Sequence, residues 1–176
     1  RLQALLTPQP TGTLVEHLTQ HEDDLSRIAA MTGLHGREVE TLDLLLKHED
    51  WQKESAHRRE TLRLLTQLIG MDDQHAAMVA KIEETSAWQR EALIDGFLAT
   101  QPNDPRQIKP VKLAAKPKFL DELAANREIA ARERVQRLRM CLTWPGAENV
   151  VTSSRRQPLS EAAQKQIERG AAVYQT

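Results

Sequence analysis

Aromatic residues and glycine are scarce in this sequence. Its 176 residues include only three Trp, two Phe and one Tyr, together with seven glycines. A protein built mainly from β-sheet would contain more Val, Ile, Tyr and Phe. Leu, Ala, Glu, Gln and Arg are abundant instead, and these residues favour helices. The composition therefore predicts an all-α protein.

The sequence also lacks the features that mark several functional classes. Cys141 is the single cysteine, so it can form no internal disulfide, thiolate metal cage or thioredoxin-like pair. No apolar run approaches the roughly 20 residues that a membrane-spanning helix needs, and no signal-peptide pattern is present. The 24 Lys and Arg are balanced by 25 Asp and Glu, which argues against a nucleic-acid or membrane-binding surface.

The first residues predict the end of one helix and a short second helix. Residues 1–6 place three leucines on one face before the break at Pro8 and Pro10. The run Thr13 to Glu16 fits a capping box, in which the hydroxyl and the carboxylate satisfy free amides at a helix start. The second helix is predicted over residues 13–20, and its buried face consists of Leu14, Val15 and Leu18.

A pair of helices is predicted next. Asp23 and Asp24 place negative charge where the dipole of a starting helix favours it, and Gly33 ends that helix. His35 and Gly36 form the turn before the second helix, which ends near Lys47. The residues predicted to be buried are Leu25, Ile28, Ala29 and Thr32 in the first helix and Val39, Leu42, Leu45 and Leu46 in the second.

Three further helices are predicted up to residue 97. One covers about residues 50–69, one follows a cap by Asp72 or Asp73, and Ser86 and Gln89 repeat the capping-box pattern at the start of the third. Their predicted buried residues are Ala56, Leu62, Leu65, Leu68 and Ile69, then Ala76, Val79 and Ile82, then Ala92, Leu93 and Phe97. Six helices joined by short turns pack naturally as stacked antiparallel pairs.

Prolines divide the rest of the chain. Four of them lie within residues 101–117, which predicts an irregular segment on the surface of the stack. Helix resumes as a last pair over residues 119–140, with Phe119, Leu120 and Leu123 facing the core. We therefore predict a helical domain over residues 1–141, a linker over residues 142–159 and a final helix over residues 160–176.

No candidate catalytic or metal-binding residues stand out. His17 and His21 have the spacing of two zinc ligands, but Leu18 lies where a metalloprotease helix needs glutamate, and a solvated helix end is the better interpretation. Three carboxylates cluster at the start of the predicted helix that ends near Lys47: Glu38, Glu40 and Asp43. Carboxylates at this position complement the helix dipole, and we favour this structural role over that of a general acid. No nucleophile elbow or glycine-rich phosphate loop occurs, and Cys141 has no nucleophile signature.

Three aromatic residues are the candidate partner contacts: Trp88, Trp144 and Tyr174. Tryptophan is enriched at the residues that dominate binding energy in protein interfaces. The alternative is that Trp88 packs in the core and that Trp144 docks the linker against the helices.

Five short strings resemble one family in their order along the chain. They are Arg1-Leu2-Gln3-Ala4-Leu5, Gly33-Leu34-His35-Gly36-Arg37-Glu38, Trp88-Gln89-Arg90 with Gly96, Leu142-Thr143-Trp144-Pro145-Gly146, and Gly170-Ala171-Ala172-Val173-Tyr174. This pattern resembles the HEAT-like helical region of large exported bacterial proteins. In those proteins a sugar-dehydrogenase-like (PQQ-type) propeller precedes the helices and a c-type cytochrome domain follows them.

The resemblance implies a HEAT-like α-α superhelix of stacked antiparallel pairs and a final helix that begins a cytochrome. In the family that helix runs into the Cys-x-x-Cys-His haem motif, which this sequence does not contain. The implied function is a non-catalytic positioning module of a haem c-containing electron-transfer or dehydrogenase-type protein. The implied location is periplasmic or exported, with the signal upstream of Arg1.

Two other functions are considered. A free-standing helical-repeat module would bind a protein partner on its concave surface and would have no haem downstream. A metal-dependent helical enzyme would use His17 and His21 and would need a further ligand that the sequence does not show. The sequence predicts neighbouring domains or another protein as partners, and neither nucleic acid nor a membrane span.

Overall fold

The computed structural model describes residues 10–71, 74–126 and 129–147. Within these residues the chain forms eight α-helices, which confirms the predicted all-α class. The helices are α1 Thr11–Gln20, α2 Asp24–Thr32, α3 Glu38–Lys47, α4 Ala56–Met71, α5 His75–Ile82, α6 Ala87–Thr100, α7 Phe119–Ala125 and α8 Ile129–Cys141. Two 3-10 turns lie at Glu49–Gln52 and Pro105–Gln107, and two short strands are β1 Val111–Lys112 and β2 Leu142–Thr143.

The helices share one apolar core. Helices α4 and α6 pack along each other more extensively than any other pair of elements, and α1 packs mainly on α3. The largest fully buried side chains in this core are Trp51, Phe97 and Phe119, with Leu14, Leu18, Leu34, Leu42, Leu45, Leu62, Leu65, Ile69 and Met78 around them. Burial of this apolar surface supplies the main stabilisation of the fold.

Polar side chains link alternate helices. Five such links join α1 to α3, α2 to α4, α3 to α5, α4 to α6, and α6 to α8. The pairs are Thr11 with Glu40 (3.0 Å), Arg27 with His57 (3.2 Å), Asp43 with Lys81 (2.5 Å), Arg59 with Glu91 (3.1 Å) and Asp95 with Arg134 (3.0 Å). Each helix from α1 to α4 is therefore tied to the next but one along the chain, and α6 is tied to α8.

The start of α1 differs from the prediction. The helix begins at Thr11 directly after Pro10, and no side chain caps it. Thr13 already lies inside the helix, so the predicted capping box of Thr13 and Glu16 is wrong. The helix starts two residues earlier than predicted because the Pro10 carbonyl accepts the N–H groups of Thr13 at 3.0 Å and Leu14 at 3.3 Å. The predicted burial of Leu14, Val15 and Leu18 is confirmed.

Helix α2 has the predicted ends but buries a different face. Asp23 caps it by accepting the Ser26 N–H at 2.9 Å, and Gly33 follows its last residue. Leu25 and Ile28, which were predicted to be buried, are 67% and 58% exposed. The buried face instead consists of Ser26, Arg27 and Ala30. Small side chains at two of these positions allow close packing, and Arg27 is held by ionic and polar partners.

The predicted helix over residues 50–69 starts later than expected. The 3-10 turn at Glu49–Gln52 ends before α4, and Ala56 at the start of α4 is exposed. Trp51 in this turn is fully buried, and its indole N–H donates to the Thr19 hydroxyl at 2.9 Å. Trp51 thus anchors the turn to α1, and the backbone becomes extended at Lys53 before α4 begins. The predicted burial of Leu62, Leu65 and Ile69 is confirmed, whereas Leu68 is half-buried.

Helix α6 starts as predicted. The Gln89 side chain accepts the Ser86 backbone N–H at 3.0 Å, which is the return bond of a capping box. The same side chain donates to the Trp51 carbonyl at 2.9 Å and is almost completely buried.

Helix α5, which precedes α6, begins at His75. Ala76 is exposed rather than buried, because the core side of α5 is formed by Met78, Val79 and Ile82. The proposed caps Asp72 and Asp73 lie outside the described residues.

The proline-rich segment contains no α-helix, as predicted, but it adds a strand that the sequence did not predict. β1 pairs in parallel with β2, with Val111 opposite Leu142 and Lys112 opposite Thr143. The Leu113 N–H extends the pairing by donating to the Thr143 carbonyl at 2.8 Å. The segment is therefore fixed to the chain that follows α8.

The last helical pair is interrupted after Ala125, where Asn126 has extended backbone angles. Phe119 and Leu120 are buried as predicted, and Arg137 of α8 donates to the carbonyl of Leu98 at the end of α6. The described residues up to Pro145 belong to one compact unit. The predicted helix ends over residues 1–6 and 160–176, and most of the linker, lie outside the described residues, so the predicted domain boundaries stay a prediction.

Candidate functional site

The predicted partner contacts lie on separate elements. Trp88 is in the first turn of α6, is half-buried against the core and donates to the Gln52 carbonyl at 3.4 Å. Trp144 follows β2 and is also half-buried against the core. Tyr174 lies outside the described residues. Both tryptophans therefore combine core packing with partial exposure.

Trp51, which sequence reasoning did not single out, is the most enclosed of the three tryptophans. Its side chain is fully buried and its backbone carbonyl accepts the Gln89 amide. These bonds join the turn before α4 to both α1 and α6. The sequence offered one signal, a large aromatic residue between the polar residues Asp50 and Gln52, but periodicity assigned that position to a longer helix.

His17 of α1 and His21, which directly follows the helix, lie close together. The ring centroids of His17 and His21 are 4.4 Å apart. Burial, and then the neighbouring His21, lower the pKa of His17, whereas Asp23 opposes that shift. In the part of the chain that the structure describes, no group of three His, Cys, Asp or Glu side chains is placed to hold a metal ion.

The carboxylates of α3 each have a structural partner. Glu38 accepts the Gly36 N–H at 3.0 Å, and Glu40 accepts the Thr11 hydroxyl at 3.0 Å. Asp43 lies between Lys47 and Lys81, and hydrogen bonds to the two ammonium groups lower the pKa of Asp43. The arrangement supports the structural interpretation of these carboxylates over a general-acid role.

Cys141 lies in the core at the end of α8. Burial raises the pKa of the Cys141 thiol to about 11, although the nearby Arg137 opposes this shift. Because the thiolate is the nucleophilic form, a thiol with this pKa is inert at neutral pH. The sole cysteine of the chain is therefore a packing residue.

An apolar groove lies between α2 and α4. Its volume is about 270 Å³, and it is lined by Ile28, Met31, Thr32, Leu64, Gln67 and Leu68. The neighbouring Leu25 is also exposed, although it does not line the groove. We call the six lining residues the α2–α4 groove. Exposed apolar surface of this kind often marks an interaction site in a folded domain.

A larger groove lies between α5 and residues 112–118, which lead from β1 to α7. Its volume is about 720 Å³, within the range of protein binding pockets. One wall is formed by α5 with Ala76, Val79 and Ala80 and by Glu83 and Glu84, which directly follow the helix. The other wall is formed by Lys112, Leu113, Ala114, Ala115, Lys116, Pro117 and Lys118. We call this the lysine groove. Sequence reasoning missed it because its two walls are about 30 residues apart in the chain.

No known protein family matches the chain, and no curated protein or solved structure matches it significantly. No helix among the described residues is both long and apolar enough to cross a lipid bilayer.

Proposed function

We propose that this chain is a non-catalytic helical module that positions neighbouring parts of a larger haem c-containing electron-transfer or dehydrogenase-type protein. The observation that carries the proposal is the set of polar links between alternate helices. These links begin at Thr11 on α1 and continue to Arg134 on α8. A module of this kind is useful because electron transfer requires donor and acceptor at a fixed separation.

The linking pattern supports a HEAT-like stack of helix pairs. In such a stack each helix packs on its partner within the pair and on the equivalent helix of the next pair. Alternate helices are joined here in the same way, since α4 packs most extensively on α6 and α1 on α3. The contact of α4 with α6 and that of α1 with α3 each combine apolar packing with a polar link. A braced stack resists bending and keeps its two ends apart.

The residues of this chain do not fit a c-type haem. Covalent attachment in the resembled family uses two cysteines and a histidine in Cys-x-x-Cys-His, and this chain has only Cys141. That thiol is buried and its pKa is raised to about 11. Any haem would therefore be held by residues outside this chain. The haem and the periplasmic or exported location are supported by the sequence resemblance alone.

The haem association is tested on the full-length parent protein. The parent is expressed with cytochrome c maturation factors and compared with this chain by haem staining and visible absorption. We expect a c-type spectrum in the parent and none in this chain. A colourless parent would contradict the proposed association.

The positioning role is tested by measuring the distance across the stack. Spin labels are attached at the exposed positions Glu16 on α1 and Arg139 on α8, each changed to Cys. The buried Cys141 should not react with the label. A narrow distance distribution by pulsed electron paramagnetic resonance is expected, and a broad one would contradict a rigid spacer.

A free-standing helical-repeat module that binds a protein partner is the second candidate. It is favoured by the exposure of Ile28 in the α2–α4 groove and of Leu25 three residues before it, because a patch of exposed apolar surface often marks a protein interaction site. A colourless parent together with a narrow distance distribution would favour this function over the first. Haem in the parent would favour the first.

A further inference from the structure

Helix α2 is held to the rest of the stack by little apolar packing. Within α2, Ala30 is the one fully buried apolar residue, whereas Leu25 and Ile28 are exposed. The other buried residues of α2 are Ser26 and Arg27, which are polar. Because burial of apolar surface is the main stabilising term in helix packing, α2 gains less from it than α1, which buries three apolar side chains. The position of α2 therefore depends on its polar contacts.

Arg27 and His57 form the polar contact between α2 and α4. The Arg27 side chain is only 9% exposed, and its Nη1 lies 3.2 Å from Nδ1 of His57. A guanidinium group carries hydrogen-bond donors and no acceptor, so Nδ1 of His57 must be the acceptor. His57 is therefore neutral in this contact, and its single ring proton is on Nε2.

Protonation of His57 changes this contact from attractive to repulsive. The second ring proton is on Nδ1 and points at the Arg27 guanidinium, and two donors cannot form a hydrogen bond. Two positive charges then face each other beside a buried side chain, where water screens them poorly. Nε2 of His57 is also buried and has no hydrogen-bond partner among the described residues, so the imidazolium gains no compensating bond there.

The charged groups that act on His57 come from α2 and from the turn before it. Besides Arg27 they are the carboxylates of Glu22, Asp23 and Asp24. Burial, and then Arg27, lower the pKa of His57, and the three carboxylates reduce this shift without reversing it. Two of these carboxylates already have cationic partners, since Asp24 pairs with Arg27 at 2.6 Å and Glu22 with Arg58 at 3.0 Å. They therefore do not neutralise a protonated His57 in the closed contact.

We propose that the contact between Arg27 and His57 makes the position of α2 sensitive to pH. At neutral pH the contact holds α2 against α4, and protonation of His57 releases α2 while the rest of the stack stays folded. The α2–α4 groove lies between the same two helices, and its α4 side includes the half-buried Leu64 and Leu68. Release of α2 therefore exposes apolar surface of α4 that the neutral form partly covers.

The release of α2 occurs on the acid side of the histidine range. Once α2 is released, His57 has the ordinary histidine pKa of about 6.5, whereas its pKa in the closed contact lies below that value. Opening therefore becomes easier as the pH falls below about 6.5, and the effect is complete below the pKa of the closed contact. The inference does not depend on the positioning role, because it concerns one helix of the stack.

The test measures hydrogen–deuterium exchange of the 176-residue chain by mass spectrometry at about pH 7.5 and about pH 5.5. Exchange rates are corrected for the pH dependence of exchange in unfolded peptides. Peptides from α2 report its release, and peptides from α6 report opening of the rest of the stack. His57→Gln keeps an oxygen that can accept from Arg27 but does not titrate. Arg27→Gln supplies an oxygen that can accept from protonated His57. His17→Gln is the matched control, because burial also lowers the pKa of His17.

When the pH is lowered, we expect the protection of α2 to fall at least about threefold more than that of α6. His57→Gln and Arg27→Gln should remove this difference, and His17→Gln should keep it. Equal loss of protection in α2 and α6 would show general destabilisation and overturn the proposal. An unchanged α2, or a pH response of α2 that persists in His57→Gln, would also overturn it. Circular dichroism at both pH values establishes that each variant is folded, and if Arg27→Gln does not fold, the comparison of His57→Gln with His17→Gln decides the outcome.

Discussion

Gly96 of α6 lies so close to α4 that a Cβ atom added at Gly96 would stand 2.7 Å from the Cβ of Thr66. The same added atom would also clash with the backbone carbonyl of Arg63, which cannot move as a side chain can. Glycine at this position therefore permits a very close contact between the two helices. Helices α4 and α6 approach here through their backbones rather than through interlocked side chains.

Gly96→Ala is expected to lower the free energy of unfolding by about 1–3 kcal/mol, because overpacking forces the two helices apart. The matched control is Gly12→Ala on α1, where an added Cβ would meet nothing within 4 Å. The control should leave stability unchanged or raise it by up to about 1 kcal/mol, since alanine favours helix. Urea unfolding followed by circular dichroism measures both. Equal effects of the two substitutions would contradict the close approach.

The bond between Trp51 and Thr19 should be energetically coupled. Trp51→Phe removes a buried donor and some packing volume, and we expect a loss of about 1–3 kcal/mol. Thr19→Val should cost about 1–2 kcal/mol because it leaves the indole N–H without an acceptor. The double variant should lose about 0.5–1.5 kcal/mol less stability than the sum of the losses in the two single variants. Strict additivity in urea unfolding would show that the hydrogen bond contributes nothing. Trp88→Phe, at a half-exposed position, should have a smaller effect.

Stability should fall when the pH drops below about 6.5, the usual pKa of histidine. Burial, and then the adjacent Arg27 guanidinium, lower the pKa of His57, whereas Glu22, Asp23 and Asp24 oppose the shift. The unfolded chain binds a proton first as the pH falls. The stabilising contribution is therefore complete above about 6.5 and is lost as the pH falls from there towards the folded-state pKa of His57.

The measurement compares urea midpoints at about pH 7.5 and about pH 5.5, on either side of the histidine range. His57→Gln keeps an oxygen that can accept from Arg27 but does not titrate. Between the two pH values, His57→Gln should lose less stability than the unmodified chain. His17→Gln is the comparison, because burial also lowers the pKa of His17. An unchanged pH slope in His57→Gln would refute the role of His57.

Cys141 should be unreactive in the folded protein. Its side chain is buried and its pKa is raised to about 11, so little thiolate forms at mildly alkaline pH. A thiol reagent such as a disulfide dye should label it at least about 100-fold more slowly in buffer than in denaturant, as expected for a site protected by folding. Rapid labelling without denaturant would show that the end of α8 opens readily.

The sequence predicted the core best where the apolar pattern is strict and the helix is long. Leu62 and Leu65 in α4 and Leu93 and Phe97 in α6 were placed correctly. In α2 the same reasoning failed, since Leu25 and Ile28 are exposed while Arg27 is buried. Arg27 is held by Asp24 and by His57 on another helix. Periodicity cannot foresee a buried cation whose partner lies 30 residues away.

The grooves could be predicted only in part. The basic residues of the proline-rich segment are visible in the sequence, but the wall supplied by α5 depends on tertiary packing. The pairing of β1 with β2 was also beyond the sequence, because strands of two residues carry no recognisable alternation. Candidate residues such as Trp88 were chosen for their chemical type, and the structure does not bring them together in one site.

The short pairing between β1 and β2 also has a mechanical consequence. Thr143 accepts the Leu113 N–H, and the chain leaves the helical unit only two residues later. A tensile force applied to the chain beyond Pro145 would be carried first by this backbone pairing. It would reach the last turn of α8 only after the pairing had ruptured. The pairing of β1 with β2 thus protects the end of α8 from unwinding under tension.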